Sequence, residues 1–411
     1  MEFLLSQLEE VIGKYGSPIY IYDGDKIRQH SMNFMNSFRK TFPTFRQYFA
    51  VKALPNIHIL KILHECGMGF DCSSVSEIKM CRQITLSKED ILYTSNYTSV
   101  EDFDYALENE VILNLDDIDG FENMLIAIKK NNNLKIPNLL SFRLNPRIGK
   151  TDSEAASNVL GGENTKFGIP DNKIVKAYEL AKIYGVKEFG IHVMTGSCIL
   201  DENYWYDLIN VLFETIENLK NKLDIELKFI DLGGGIGIPY KPNEKEVNLD
   251  LLIKNIYDSL IENTKRLNIA IPDIYMECGR YITGKFGYLI TKCKSIKIGY
   301  NDKKFYGLDS CMANLMRPGM YGAYHHISVP RLEHVTEFES VNIVGTLCEN
   351  NDWFAKDRNM PIGILKEDIF VIHDVGAHGH CMGFQYNGKM RSPEILFIEN
   401  KFVLIREGEK I

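Results

Sequence analysis

The sequence lacks the features that mark several other classes of protein. Its 411 residues carry a net charge of only −8, so there is no basic excess of the kind found in proteins that bind nucleic acid or anionic membranes. No CxxC pair occurs among the nine cysteines, and an odd number does not suit a closed disulfide framework. We therefore predict a cytoplasmic protein with reduced thiols, and neither nucleic acid nor a membrane as a partner.

Long hydrophobic runs are also absent. No stretch approaches the roughly 20 apolar residues of a membrane-spanning helix. The N terminus has acidic residues and helical periodicity, unlike a signal peptide. A chain of this length is expected to fold as two or three domains, or as one large barrel with a companion domain.

What the sequence does contain is a recurring pattern between residues 48 and 278. Short apolar or β-branched runs end in a polar residue or glycine, and an amphipathic helical segment follows. The predicted strands are 48–52, 69–72, 91–95, 113–116, 141–145, 190–194, 229–233 and 275–278. Eight such strands predict a closed parallel (β/α)8 barrel. An open doubly wound sheet is the alternative, but no G-x-G-x-x-G motif follows the first strand.

The pattern changes after residue 285, where strand-like runs dominate and helical periodicity is nearly absent. The predicted fold class is α/β, an eight-stranded parallel barrel followed by an all-β C-terminal domain. We place the barrel at 27–284 and the β domain at 285–411. The N-terminal segment 1–26 contains the apolar run 17–23, which we expect to join the β domain.

Ionisable residues are concentrated at the predicted strand ends, where barrel enzymes carry their chemistry. These ends supply Lys52, Asp71, Ser95, Asp116, Arg143, His192, Asp231 and Glu277. A single strand-end lysine more often extends its amino group into water. A whole rim of charged groups instead predicts a catalytic site.

Two loops indicate phosphate binding. DLGGGIG (231–237) has three consecutive glycines, which let backbone N–H groups approach an anion, and ECGR (277–280) adds Gly279 and Arg280. Barrel phosphate sites commonly use the loops after strands seven and eight. A phosphate, a lysine and an acid together predict pyridoxal 5′-phosphate, which needs a lysine for its Schiff base and a carboxylate beside its pyridine nitrogen. Lys52 and Glu277 are the candidates, and His192 is the candidate for stacking on the ring.

Nine motifs in order carry a resemblance that covers residues 17–407. They are FAVKALPN, GFDCSSVSEI, FRLNP, TKFGI, IDLGGGIG, ECGR, MRPGMYGAYH, CENND and GAHGHCMGFQYNG. The chain resembles the barrel-type (alanine racemase-like, fold type III) pyridoxal-phosphate decarboxylases, and among them the diaminopimelate decarboxylases. The resemblance implies decarboxylation of meso-2,6-diaminopimelate to L-lysine and CO2.

The resemblance also implies a role for individual residues. Lys52 would carry the cofactor, and Cys348 would donate a proton to the product. The other cofactor-binding residues that it implies are His192, Ser197, Gly234, Gly235, Glu277, Cys278, Gly279, Arg280, His378 and Tyr386. The implied substrate-binding residues are Arg280, Arg317, Tyr321 and Glu349. In this family the cysteine and glutamate of the CENND segment come from the neighbouring subunit, so a homodimer with shared active sites is implied.

Three positions depart from the family pattern. HVMTGS puts two extra residues between His192 and Gly196, Cys278 replaces a proline, and His378 replaces a tyrosine. The role of that tyrosine passes to His378 or to Tyr386.

Three other interpretations of the residues stay open. A decarboxylase of the same fold for ornithine, lysine or carboxynorspermidine would favour an aspartate facing the distal amine, whereas Arg317 suits a second carboxylate. A catalytically inactive regulatory homologue should have lost Lys52 or Cys348, and both are present. The third is a metal site formed by His373, His378, His380 and Cys381. Histidines in such loops are more often structural, so we predict no metal.

Overall fold

The structure is a computed structural model that describes residues 3–153 and 155–410. It divides into two compact units. The barrel unit comprises residues 30–238 and 245–279, and the β unit comprises the N-terminal residues up to Gln29, residues 239–244 and the chain from Arg280 onward.

The described residues form eighteen strands. They are β1 (Ile19–Asp23), β2 (Arg46–Ala50), β3 (Gly69–Cys72), β4 (Ile91–Ser95), β5 (Ile112–Leu115), β6 (Leu139–Asn145), β7 (Ile169–Pro170), β8 (Glu188–Val193), β9 (Leu227–Asp231), β10 (Asp273–Met276), β11 (Gly287–Ile298), β12 (Lys304–Leu308), β13 (Ile327–Ser328), β14 (Phe338–Val344), β15 (Trp353–Pro361), β16 (Ile369–Ile372), β17 (Glu394–Ile398) and β18 (Lys401–Arg406).

Eleven α-helices accompany these strands in the described residues. They are α1 (Leu5–Tyr15), α2 (Gly24–Thr41), α3 (Ile57–Glu65), α4 (Val75–Cys81), α5 (Val100–Glu108), α6 (Ile118–Lys130), α7 (Asp171–Ile183), α8 (Tyr204–Leu223), α9 (Leu249–Leu267), α10 (Arg280–Thr283) and α11 (Arg317–Tyr321). None of them combines the length and the apolar character that crossing a bilayer requires.

The barrel unit is a closed ring of eight parallel strands. The order is β5-β4-β3-β2-β10-β9-β8-β6, and pairing of β5 with β6 closes the ring, while the two-residue β7 pairs with the end of β6. The strands are buried on both faces, as parallel strands covered by helices must be. The predicted barrel is confirmed, because all eight of its strands are present within a few residues of their predicted bounds.

The β unit is built on a nine-stranded sheet with the order β15-β14-β12-β11-β1-β17-β18 and with β16 paired to β11 and β13. The N-terminal strand β1 lies between β11 and β17, antiparallel to the first and parallel to the second. Two of its strands, β13 and β15, are not among the strand-like runs that the sequence shows after residue 285. β15 lies at the edge of the sheet and reads WFAKDRNMP, so its exposed charged residues hide the apolar pattern of a strand.

Candidate active site

Lys52 lies just beyond the carboxyl end of the first barrel strand. β2 ends at Ala50, two residues earlier than predicted, and Lys52 is the middle residue of a 3-10 turn, Val51–Ala53. The chain then enters α3, whose N-cap Asn56 accepts a hydrogen bond from the backbone of His58. This turn points the lysine out of the strand and onto the rim of the barrel, where its side chain is 50% exposed.

Asp71 at the end of the neighbouring strand β3 faces this lysine. Lys52 Nζ lies 3.2 Å from Asp71 Oδ2, and the aspartate side chain is fully buried. Burial alone would lower the pKa of Lys52, but Asp71 and Glu277 outweigh it and raise that pKa. Burial and the charge of Glu277 together raise the pKa of Asp71 to about 7. Asp71 can therefore gain or lose a proton near neutral pH directly beside the lysine.

Glu277 and His192 form a buried pair in the barrel interior. Glu277 directly follows β10, and its Oε2 lies 3.1 Å from His192 Nε2 on β8, with both side chains at most 5% exposed. Burial opposes ionisation of Glu277, but the combined charges of His192, Lys52 and Arg143 lower its pKa below the usual value. Glu277 is thus a carboxylate held in its charged form. His192 contacts this carboxylate, and its predicted stacking on a cofactor ring stays a prediction.

Asp231, the last residue of β9, completes this group. Its Oδ1 accepts a hydrogen bond from the Gly233 N–H at 2.8 Å, and the side chain is fully buried. Burial and the nearby Glu277 raise the pKa of Asp231 well above its usual value, so its surroundings favour the protonated form. Among the described residues, one group of three side chains has the close spacing of metal ligands. It consists of His192, Asp231 and Glu277, whose ligand atoms all lie within 4.8 Å of one another. Their joint contacts make them parts of one polar cluster in the barrel.

The predicted phosphate loop follows Asp231 directly. A Cβ added at Gly234 would lie 2.7 Å from the Glu277 carbonyl oxygen, and one added at Gly235 would lie 2.8 Å from the Gly196 carbonyl oxygen. Gly235 also has φ +107°, which favours glycine. Gly279 is constrained in the same way, because its Cβ would lie 2.7 Å from that of Ala53 in the lysine turn. Glycine positions with no room for a side chain therefore lie next to both the Lys52 turn and Glu277.

The two extra residues of HVMTGS have defined places in this loop region. Met194 Sδ accepts a hydrogen bond from the Gly234 N–H at 3.2 Å, so the thioether lies against the glycine loop. Thr195 is buried, and its Oγ1 accepts a hydrogen bond from the Tyr204 hydroxyl at 2.7 Å. Ser197 is half-buried with its backbone N–H bonded to Asn158. The Cys278 thiol is buried, which holds its pKa well above the usual value.

These residues fit pyridoxal phosphate. The barrel unit offers an amine on Lys52, a buried carboxylate on Glu277, and a glycine loop whose lack of side chains lets an anion approach its backbone. Two buried polar atoms beside them, His192 Nδ1 and Asp71 Oδ1, have no hydrogen-bond partner. Buried polar atoms of this kind are rare unless a ligand or water satisfies them.

Two arginines of the β unit surround one tyrosine. Arg280 Nη1 donates to the Tyr240 hydroxyl at 2.6 Å, and the Arg317 guanidinium lies 4.6 Å from the centroid of the same ring. Both arginines are more than 90% buried. This arrangement holds two positive charges on one aromatic side chain.

The remaining predicted site residues are spread over the surface of the β unit. Cys348 and Glu349 are exposed, and the Cys348 N–H donates to Asn387 Oδ1 at 2.8 Å. Tyr386 is 45% exposed, and His378 is half-buried with φ +55°. Tyr321 is half-buried at the end of α11. The roles of these residues stay predictions, as does the choice between His378 and Tyr386.

Two histidines of the alternative metal site, His373 and His380, form hydrogen bonds with serine residues of the β unit. His373 Nε2 lies 2.8 Å from the Ser328 hydroxyl, and His380 Nε2 lies 2.9 Å from the Ser392 carbonyl oxygen. They therefore serve as hydrogen-bonding groups within the β unit.

Several contacts were not assigned from the sequence. Asp71 was noted only as a strand end, although its place on the strand next to Lys52 could have suggested a pair. Tyr240 follows the glycine loop closely, and Met194 sits among the extra residues of HVMTGS. No local pattern distinguishes such residues, because their roles depend on the strands and turns that bring them together.

Comparisons with known proteins agree with this geometry. Residues 27–284 match the family model described as "Pyridoxal-dependent decarboxylase, pyridoxal binding domain". The chain belongs to this family. It is 35% identical to Protein TabA of Pseudomonas amygdali pv. tabaci, over 99% of this chain and 92% of that protein. It is 33% identical to the diaminopimelate decarboxylase of Methanothermobacter thermautotrophicus, over 97% of this chain and 91% of that protein.

Solved structures extend the family likeness. The diaminopimelate decarboxylase of Helicobacter pylori, in a complex with L-lysine, superposes with a TM-score of 0.87 at 28% identity, over 98% of this chain and 96% of that chain. The lysine decarboxylase of Selenomonas ruminantium shares the fold, with a TM-score of 0.80 at 20% identity over 97% of each chain.

Proposed function

We propose that this protein decarboxylates meso-2,6-diaminopimelate to L-lysine and CO2 with pyridoxal 5′-phosphate as its cofactor. The observation that carries the proposal is the Lys52–Asp71 pair at 3.2 Å beside the buried, ionised Glu277. The diaminopimelate decarboxylases among the relatives, matched over nearly the whole chain, support the choice of substrate.

The cofactor would be held by several groups of this chain. Lys52 would attach it, Glu277 would hold its ring nitrogen, and the glycine loop at Gly234 and Gly235 would bind its phosphate. The other residues proposed to hold it are His192, Ser197, Cys278, Gly279, Arg280, His378 and Tyr386. When bound, pyridoxal phosphate supplies an electron sink for the charge left when the α-carboxylate departs.

The side chains of the protein prepare and complete the reaction. Glu277 supplies a fixed negative charge, because its ionised form is stabilised by His192, Lys52 and Arg143. Asp71 stabilises the ammonium form of Lys52, because its carboxylate lies 3.2 Å from Nζ and raises the pKa of that lysine. The Cys348 thiol would deliver a proton to the α-carbon.

Specificity for a substrate with charges at both ends would come from the β unit. Arg280, Arg317 and Tyr321 would bind the distal carboxylate, and Glu349 would face the distal ammonium group. Lysine and ornithine have no second carboxylate, so two arginines suit diaminopimelate better.

We further propose a homodimer in the cytoplasm, with Cys348 and Glu349 contributed to the active site of the partner subunit. Both residues are exposed on the β unit. All nine cysteines lie in described residues and are free thiols, which suits a reducing compartment.

The test is CO2 release from a panel of amino acids by the purified holoenzyme. We expect release from meso-diaminopimelate and much less from D- and L-lysine, ornithine and carboxynorspermidine. Lys52→Ala should abolish release, whereas Lys61→Ala, an exposed lysine on α3, should leave it unchanged. Release from another member of the panel but not from diaminopimelate would contradict the substrate and leave the decarboxylase reaction standing.

A further inference from the structure

Arg317 is held by a buried histidine of the same unit. Arg317 Nη1 lies 2.7 Å from His325 Nε2, and His325 Nδ1 lies 2.8 Å from the carbonyl oxygen of His373. His325 is fully buried and Arg317 is 4% exposed. The three groups form a chain of two hydrogen bonds that ends on the guanidinium.

The partners of His325 fix which ring nitrogen carries the proton. A backbone carbonyl oxygen only accepts hydrogen bonds, so Nδ1 of His325 must carry the hydrogen. An arginine only donates and stays protonated, so Nε2 must be the acceptor for Arg317. A doubly protonated His325 would place an N–H against the guanidinium. His325 is therefore neutral, in its Nδ1–H form.

The charges around His325 favour the same state. Burial and the positive charges of Arg317, Arg280 and Arg358 lower the pKa of His325 well below its usual value. Arg358 also donates from Nη1 to the His325 carbonyl oxygen at 2.9 Å. The imidazole therefore stays neutral across the physiological pH range.

Tyr240 restrains Arg317 from a second direction. The guanidinium lies 4.6 Å from the centroid of the Tyr240 ring, and that ring packs edge-on against His325 with centroids 5.2 Å apart. Tyr240 thus contacts the face of the Arg317 guanidinium, and His325 contacts its edge at Nη1. Because His325 is a neutral acceptor, it orients the arginine without cancelling its positive charge, as a carboxylate would.

We propose that His325 is a positioning residue for substrate recognition, which in its neutral Nδ1–H form orients Arg317 toward the distal carboxylate of the substrate. Tyr240 supports the same arginine from its face. The inference rests on the proposed function, since it needs a substrate with a second carboxylate. It adds a residue that acts through Arg317, since its ring contacts are Arg317, the His373 carbonyl oxygen and Tyr240.

The kinetic consequence is specific. The distal carboxylate is remote from the bond that breaks, so a misplaced Arg317 weakens substrate binding equally in the ground state and the transition state. Loss of a hydrogen bond to a charged group should raise KM for meso-diaminopimelate about 10- to 100-fold. The value of kcat should change much less.

The experiment compares His325→Leu with His325→Gln in the holoenzyme. Leucine removes the acceptor, whereas glutamine can place its amide oxygen near the Nε2 position, so it should restore most of the lost affinity. His326→Leu is the matched control, because His326 is exposed and its ring packs on His373, 4.9 Å between centroids. Inhibition by 1,5-diaminopentane, which has no carboxylate, should be the same in all four proteins.

Three results would overturn the inference in variants with wild-type cofactor absorbance and melting temperature. One is an unchanged KM in His325→Leu, another is no recovery in His325→Gln, and the third is an equal loss of inhibition by 1,5-diaminopentane. If the wild type releases no CO2 from diaminopimelate, the proposed function fails instead.

The state of His325 can be tested without any substrate. Nitrogen-15 NMR of the histidine side chains, with the His325 signal assigned from its loss in His325→Gln, should show an Nδ1–H imidazole between pH 6 and pH 8. A doubly protonated or Nε2–H ring would contradict the proposal.

Discussion

The Lys52–Asp71 pair gives the sharpest quantitative prediction. Lys52 Nζ and Asp71 Oδ2 are 3.2 Å apart. At that separation two unit charges interact by about 1.3 kcal/mol in water and by about 5 kcal/mol at an effective dielectric constant of 20. Because the lysine side chain is 50% exposed, solvent screens the pair. We therefore use the interaction energy in water as the minimum.

Asp71→Asn should therefore lower the pKa of Lys52 by at least about 1, since 1.36 kcal/mol corresponds to one pKa unit. The shape of the side chain is retained and only its charge is lost. The direction follows from the raised pKa of Lys52, to which Asp71 is the largest favourable contributor.

The assay is competitive acetylation of the cofactor-free protein between pH 7 and pH 11, with the Lys52 peptide quantified by mass spectrometry. The labelling midpoint of Lys52 should move to lower pH in Asp71→Asn. Asp116→Asn is the control, because that carboxylate pairs with Arg143, 3.3 Å away. An unchanged or higher midpoint in Asp71→Asn would refute the electrostatic account of this pair.

Two further predictions concern the glycine loop and the β unit. Gly234→Ala should weaken cofactor binding about 10- to 100-fold, because its Cβ would lie 2.7 Å from the Glu277 carbonyl oxygen and backbone must shift. Titration of the cofactor-free protein with pyridoxal phosphate measures this affinity, and an affinity equal to that of the wild type would contradict the prediction. Gly13→Ala is the control, because a Cβ added at Gly13 has no atom within 4 Å. Burial and His326 lower the pKa of His373 from 6.5 to about 4, so folding favours its neutral form. The stability that this contributes is present above pH 6.5 and is lost as the pH falls towards 4. His373→Gln should lose less of its free energy of unfolding between pH 7 and pH 5 than the wild type does, as measured with urea, and parallel losses would contradict this.

The barrel could be predicted because its signal is local. Each strand, such as "GFDC" or "ILYTS", is a short apolar run buried on both faces, and each is followed by an amphipathic helix. Once eight such units are counted, ring closure brings β8, β9 and β10 side by side. His192, Asp231 and Glu277 must then meet, although 85 residues separate the histidine from the glutamate.

The parts that could not be predicted depend on turns and on distant contacts. The sequence pattern predicts Lys52 as the end of a strand, but a 3-10 turn carries it past the strand, where it meets Asp71. Tyr240 reaches Arg280 across 40 residues of sequence, and Arg358 reaches His325 across 33. No periodicity in the sequence encodes such approaches, since they are set by how loops and edge strands pack.

Lys52 as the residue that carries the cofactor is the central claim, and peptide mapping tests it most directly. The purified holoenzyme would be reduced with borohydride, which fixes the cofactor to the amine that holds it, and the peptides would be sequenced by mass spectrometry. We expect the phosphopyridoxyl group on Lys52 and on no other lysine. Its stable attachment elsewhere, or no attachment in protein that releases CO2, would contradict the account.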